Sequence, residues 1–237
     1  MESVIPAYIR LVFLVTALTT IGFIHFGTRS AENKGHRRIS WVLLTTITVW
    51  MATTGIMASR GFFLEFDTLP PRLVFIVLPP NLAILGLLII KRSRNFILQI
   101  PISTLTYVHI IRVPVEMVLW WLAAYDLVPL LLTFEGINYD ILSGVTAPFV
   151  AIFMVGRKRK NRIGAIIWNL AALAMLVNIV SHAILSTPYP FQQYSLDQPM
   201  TAVFYPPFVW LPALVVPIVL FSHLASLMQL LIKKEAY

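Results

Sequence analysis

The sequence predicts an all-α, polytopic membrane bundle of seven transmembrane helices, its N-terminus outside and its C-terminus in the cytoplasm. Three observations carry that reading. Hydrophobic residues fill 58% of the 237 positions, charged residues only 12%, and the mean hydropathy is +0.82. That is too apolar for an ordinary soluble domain. Seven continuous apolar stretches, 5–26, 39–59, 72–90, 103–125, 140–156, 163–185 and 208–232, approach or exceed the length of about 20 residues that a helix needs to cross the hydrocarbon core. Finally, 14 of the 18 Lys and Arg residues fall after the first, third, fifth and seventh stretches, segments that the positive-inside rule assigns to the cytoplasm. The continuous runs do not show the short alternating strands of a β-barrel.

Charge placement also narrows the partners. The basic residues concerned are Arg29, Lys34, Arg37 and Arg38; Lys91, Arg92 and Arg94; the run 157–160 with Arg162; and Lys233 and Lys234. The opposite side keeps Arg60 and Arg72 beside Glu2, Glu65, Asp67, Asp126, Glu135, Asp140 and Asp197. A net charge of +8 distributed in this way sets topology and attracts anionic headgroups, so the lipid bilayer is the expected partner and nucleic acid is not. The chain has no cysteine, which removes disulfides and thiolate metal sites.

Taken in order, the first stretch follows Met-Glu-Ser rather than a basic segment and has no convincing cleavage site, so it reads as a retained span. Arg10 lies in its outer turns and His25 at its cytoplasmic end. The third stretch holds Pro79-Pro80-Asn81, expected to break the helix near the midplane and to bring Asn81 to a cavity. Each proline in a span removes a donor and frees the carbonyl four residues earlier, Phe75, Ile110 and Ala213 among them. In lipid those carbonyls need another partner. The fourth stretch carries His109, Arg112 and Glu116, which at 100° per residue share an arc of about 60°. Charges at that depth cost several kcal/mol, about 3 or more each, so an Arg112–Glu116 ion pair beside Pro114 is the expected centre of any site.

Before the shortest stretch, the fifth, the loop 126–140 ends in FEGINYD. Glu135, Asn138 and Asp140 gather there, with Asp140 as an expected helix N-cap and Gly136 permitting the turn. In the sixth stretch Asn178 and His182 share one face, about 40° apart, and Asn169 points to the other. The second long loop, 186–207, is rich in glutamine and aromatic residues, which at this level usually form an interfacial belt. The seventh stretch has Pro212, Pro217 and His223. His109 and His223 are the one histidine pair at similar depth that could face one another across a haem, but no set of three or four ligands for zinc is apparent, and the seventh stretch has no lysine before Lys233 to form a retinal Schiff base. No cofactor and no metal are predicted.

The motifs HIIRVPVEMVLWWL, TFEGINYDILSGVTAP, STPYPFQQYSLDQP and VWLPALVVPIVLFSH resemble an uncharacterised family of bacterial seven-span membrane proteins. That resemblance implies topology and a bacterial inner-membrane location, and no activity. The fragment PVEMVLWW also resembles part of the Pro-x-Glu-acid motif of membrane lycopene cyclases, with Met117 where the second acid would stand.

One transmembrane domain, 1–237, is therefore expected, with an outward-facing polar pocket for a small or lipid-like ligand, as in a receptor or transporter. Asn81, Arg112, Glu116, Asn178 and His182 would line it, and Glu135, Asn138 and Asp140 would form its mouth. An alternative is an intramembrane enzyme acting on a lipid or isoprenoid, with Glu116 as acid and Arg112 or His109 as its partner. A structural or assembly subunit is the third reading.

Overall fold

The computed structural model describes residues 5–30, 37–156 and 161–232, and every regular element among them is helical. Lys34, Arg157, Lys158, Arg159, Lys160, Lys233 and Lys234, part of the charge argument above, lie outside the described residues. The helices follow the apolar stretches closely. They are α1 (Ala7–Ser30), α2 (Arg37–Ser59), α3 (Val74–Ile89), α4 (Lys91–Ile97), α5 (Ile102–Tyr107), α6 (Arg112–Ala123), α7 (Asp140–Phe153), α8 (Arg162–Leu185) and α9 (Val216–Ile232). A 3-10 turn, Val108–Ile111, joins α5 to α6, and a π-helical turn, Leu211–Val215, runs into α9.

Five of these helical stretches are long and apolar enough to cross a membrane, and six if α3 and α4, bent by 89°, count as one; α7, with 14 residues, is shorter. Side-chain placement fits a lipid solvent. Leu18, Val49, Leu85, Phe149 and Leu170 point outward, while His109, Arg112, Glu116, Asn169 and His223 are buried. In water this would expose apolar surface and hide charge, whereas in hydrocarbon each group meets its better surroundings. Hydroxyls on the helices follow the same logic: Thr16, Thr20, Thr106 and Ser222 donate to carbonyls one turn back on their own helices, which removes free donors from the apolar phase.

Two stretches form the centre. In their most apolar windows, 61% of Ile102–Ala123 and 56% of Leu211–Ile232 is buried, against 28% of α1 and α8 and 17% of Ile39–Ser59. The α5–α6 rod packs on α1, α7 and α9, and α8 packs on α7 and α9.

The prolines behave differently from one another. α3 runs through Pro79 and Pro80 without the expected break and leaves the helical region only at Ile90, with φ −66° and ψ 118°. Proline loses a donor but keeps a φ that a helix accepts, so packing can carry a helix across the pair. At Pro217 the freed carbonyl of Ala213 receives the Trp50 indole N–H at 2.9 Å. Trp210 returns the contact, donating to Met51 O at 3.0 Å. Gly55 faces the Trp210 ring, where a Cβ would lie 3.4 Å from it, an ordinary contact distance. Together these bonds form a reciprocal clasp between α2 and the start of the last span.

At one end, three long loops fold into a cap. Leu73 N–H donates to the Tyr189 hydroxyl at 3.0 Å, Gln198 Nε2 reaches Val128 O at 3.0 Å, and Thr201 N–H reaches Leu127 O at 3.2 Å. Phe66 packs edge-on against Tyr189 and Phe204. Tyr189 and Phe204 are thus the core of the cap rather than members of the expected belt, while Phe191 and Tyr194 remain partly exposed. At the other, basic end, Gln229 Nε2 donates to Ile97 O and Ile100 O, both at 2.9 Å, tying α9 to the bend before Pro101.

Candidate functional site

Arg112 is the first residue of α6, directly after the 3-10 turn, and is 2% exposed. Its Nη1 donates to Asp140 Oδ1 at 2.9 Å and to Ala172 O at 3.3 Å. The expected pair with Glu116 is replaced by an ion pair to α7. The reason lies in how α7 begins. Asn138 Oδ1 accepts from Asp140 N–H at 3.1 Å, an Asx-type turn that starts the helix and leaves the Asp140 carboxylate free to face Arg112. Asp140 is therefore the first residue of α7 and an ion-pair partner, not the N-cap, a position that Tyr139 occupies without a side-chain bond.

Two glycines make this approach possible. A Cβ on Gly144 would come within 2.8 Å of Val113 Cγ2 and 3.1 Å of Val113 N, so α7 closes on the start of α6 only with glycine there. A Cβ on Gly136 would lie 2.3 Å from Leu131 O, the tight turn that presents Asn138.

The other side of the guanidinium faces α9. Arg112 Nη2 lies 2.9 Å from His223 Nε2. Arginine can only donate, so Nε2 accepts and the imidazole proton sits on Nδ1. That nitrogen is 2.9 Å from Asn169 Oδ1, to which it donates, and Asn169 Nδ2 is fixed by Ala165 O at 2.9 Å. A directed chain thus runs from Asp140 through Arg112, His223 and Asn169 to the α8 backbone.

Glu116 lies one turn further along α6. Its Oε1 accepts from Asn138 Nδ2 at 2.6 Å, and that amide also donates to Leu132 O at 3.0 Å. Asn138 therefore holds both acids, one through its side-chain donor and the other through its acceptor. His109, fully buried, stacks on His223 with ring centroids 3.9 Å apart and meets the edge of Trp168. Among the described residues, both nitrogens of His109, Glu116 Oε2 and Arg112 Nε have no hydrogen-bond partner although they are buried. Imidazoles stacked this closely leave no room for an iron between them, and among the described residues no group of three or more His, Asp or Glu side chains is arranged to hold a metal ion.

Of the residues singled out in the sequence, the fold brings together His109, Arg112, Glu116, Asn138 and Asp140. Asn178 borders the group, donating to Ile137 O at 3.3 Å. His182 bonds the Asn178 carbonyl and packs on Tyr194. Asn81 bonds Val77 O on its own helix and lines a separate cavity of about 210 Å³, while Glu135 is exposed. His223, Asn169 and Gly144 belong to the centre and were not among the predicted site residues. The similar depth of His109 and His223 was the one sequence signal for the first of these.

The long apolar helices and the buried polar centre suggest a membrane-embedded, all-helical protein. Within that class the chain belongs to the family described as domain of unknown function DUF8737, which matches residues 70–231 and so includes every member of the centre. No curated protein and no solved structure matches the chain.

Proposed function

We propose that the chain is a seven-span bacterial inner-membrane protein, N-terminus outside, whose Arg112–Glu116–Asp140–His223 centre is the working part of a receptor or transporter for a small or lipid-like ligand. The orientation is supported by acidic Glu65, Asp126, Glu135 and Asp197 in the loops of the cap and by exposed Lys91, Arg92 and Arg94 at the opposite end. The short α7 counts as the seventh span because it packs among α5, α6 and α8 rather than standing alone.

One observation carries the functional reading: buried polar atoms without partners. Glu116 Oε2, Arg112 Nε and both His109 nitrogens are unbonded, although an unsatisfied buried polar group costs about 1–3 kcal/mol. Charge balance points the same way. Arg112 and Asp140 cancel, which leaves Glu116 one negative charge in a low-dielectric interior unless a proton or cationic group joins the centre. A site in this condition is suited to bind and release something. Ligand entry is from the outer side, through the loop 126–140 that supplies Asn138 and Asp140.

Native mass spectrometry of the purified chain tests this. Wild type is expected to retain a small molecule or lipid that Glu116→Gln loses at unchanged melting temperature, and that Arg112→Lys, which gives up the bond to His223, loses with the chain still folded. Equal retention by well-folded variants would remove the reading. The free oxygen on Glu116 also suits an acid catalyst on a lipid or isoprenoid. That alternative predicts altered lipid species in expressing cells, reversed by Glu116→Gln, whereas a stoichiometric protein co-purifying with the chain would favour an assembly subunit.

A further inference from the structure

At the basic end, away from the Arg112 centre, a cleft of about 520 Å³ opens between α1, α2, α3, α4, α5 and α9. It lies where α2 and α3 part: α2 packs on α1 and on the π-turn, and α3 packs on α4, α9 and the same turn. Its walls include Ile47, Trp50, Ile84, Leu87, Leu214 and Phe221. The volume falls within the range of about 300–1,000 Å³ typical of small-molecule sites, but the lining is nearly all hydrocarbon. A water-filled cleft with such walls is unfavourable, and in a bilayer an acyl chain is the available filler.

Besides the hydroxyls of Thr28, Thr46 and Thr104, the polar part of the lining is at the rim, where its one charged residue, Arg92, lies. The 89° bend after Ile90 swings α4 away from α3 and brings Arg92 and Ser93 to the cleft, with Lys91 and Arg94 exposed beside them. The cleft thus has an apolar interior and a cationic edge. Arginine binds phosphate through two parallel N–H donors, and basic residues near the membrane surface each favour an anionic lipid by about 1 kcal/mol.

We infer that this cleft is a binding site for an anionic phospholipid, one acyl chain lying between α2 and α3 and the phosphate on Arg92 and Ser93. The site is separate from the Arg112 centre and stands or falls without it.

The test uses the full chain in detergent, titrated with phosphatidylglycerol or phosphatidylcholine and read by native mass spectrometry. Wild type is expected to hold phosphatidylglycerol more tightly, and Arg92→Ala to lose about fivefold of that binding, with phosphatidylcholine little changed. Equal binding of the two lipids by wild type would overturn the headgroup assignment. Ala83→Trp, which fills the cleft, is expected to lose both lipids while Leu170→Trp, on the outward face of α8, keeps both. A second measurement needs no variant: a phosphatidylglycerol with a photoreactive acyl chain should label Ile47, Leu87 or Phe221 in the wild-type chain. Labelling confined to outward residues such as Leu82 and Leu85 would show a lipid on the surface only and overturn the site.

Discussion

The Arg112 centre and the tryptophan clasp are both polar contacts that cross an apolar bundle, yet only one of them is complete. In the clasp, Trp50 donates to the carbonyl that Pro217 frees, and Trp210 donates to Met51 O. Each indole has one donor and each is used, so packing a kinked helix accounts for the whole arrangement. In the Arg112 centre the bonds run from side chain to side chain across α6, α7, α8 and α9, and four buried atoms are left over. A contact that serves stability alone is expected to close its hydrogen bonds. The difference teaches where to look for activity: isolated unsatisfied atoms occur elsewhere, as at Ser186 Oγ and Ser226 Oγ, whereas among the described residues they gather in this centre.

Substitutions can break this contrast. The largest effect is expected from Arg112→Leu, which strands the Asp140 carboxylate in the interior and should cost about 3–5 kcal/mol, measured by unfolding in detergent. Adding Asp140→Leu should restore most of the loss, because a neutral pair of similar volume removes the stranded charge. Failure of the second change to rescue would mean that Asp140 is held by something other than Arg112. Trp50→Phe comes next. It leaves Ala213 O without its donor and should cost about 1–3 kcal/mol in the same unfolding measurement, less than the stranded charge.

The smallest effect concerns the cap. Burial pushes the Tyr189 hydroxyl above its ordinary value, while the bond from the Leu73 N–H opposes the shift. The neutral phenol is therefore the folded form. Stability present below the ordinary phenol pKa of about 10 should fall as pH climbs toward the raised value. Tyr189→Phe should cost about 1 kcal/mol and flatten that alkaline decline. A variant that kept the wild-type slope would assign it to another group.

Much of the architecture is legible in the chain because hydropathy acts locally. Each apolar stretch becomes helix, and α1, α2 and α8 sit within a few residues of their expected bounds, while the last stretch reaches its expected end but begins with the π-helical turn at Leu211 and becomes α9 only at Val216. The stripe of His109, Arg112 and Glu116 is legible too, since their spacing fixes a common face. Partners are another matter. Spacing on one helix cannot say that Arg112 turns to Asp140, because that choice depends on Gly144 letting α7 approach and on Asn138 starting α7. Nor could Pro79-Pro80 reveal that α3 stays intact and bends at Ile90 instead, since helices packed around it decide whether a missing bond is tolerated. Asn169 and His223 were visible as polar residues in apolar spans, but their meeting needed the geometry of two helices at once.

The π-helical turn at Leu211–Val215 has a consequence for how the two regions are held in phase. A π-turn takes in about one residue more than an α-turn, and one residue is about 100° of rotation. Trp210 precedes the turn and His223 follows it. The extra residue therefore acts as an angular offset between clasp and centre: with α2 gripping one end, it sets the compass bearing of His223 toward Arg112. Relaxing that turn to α-helical winding would swing the imidazole off the guanidinium without altering any residue of the centre itself.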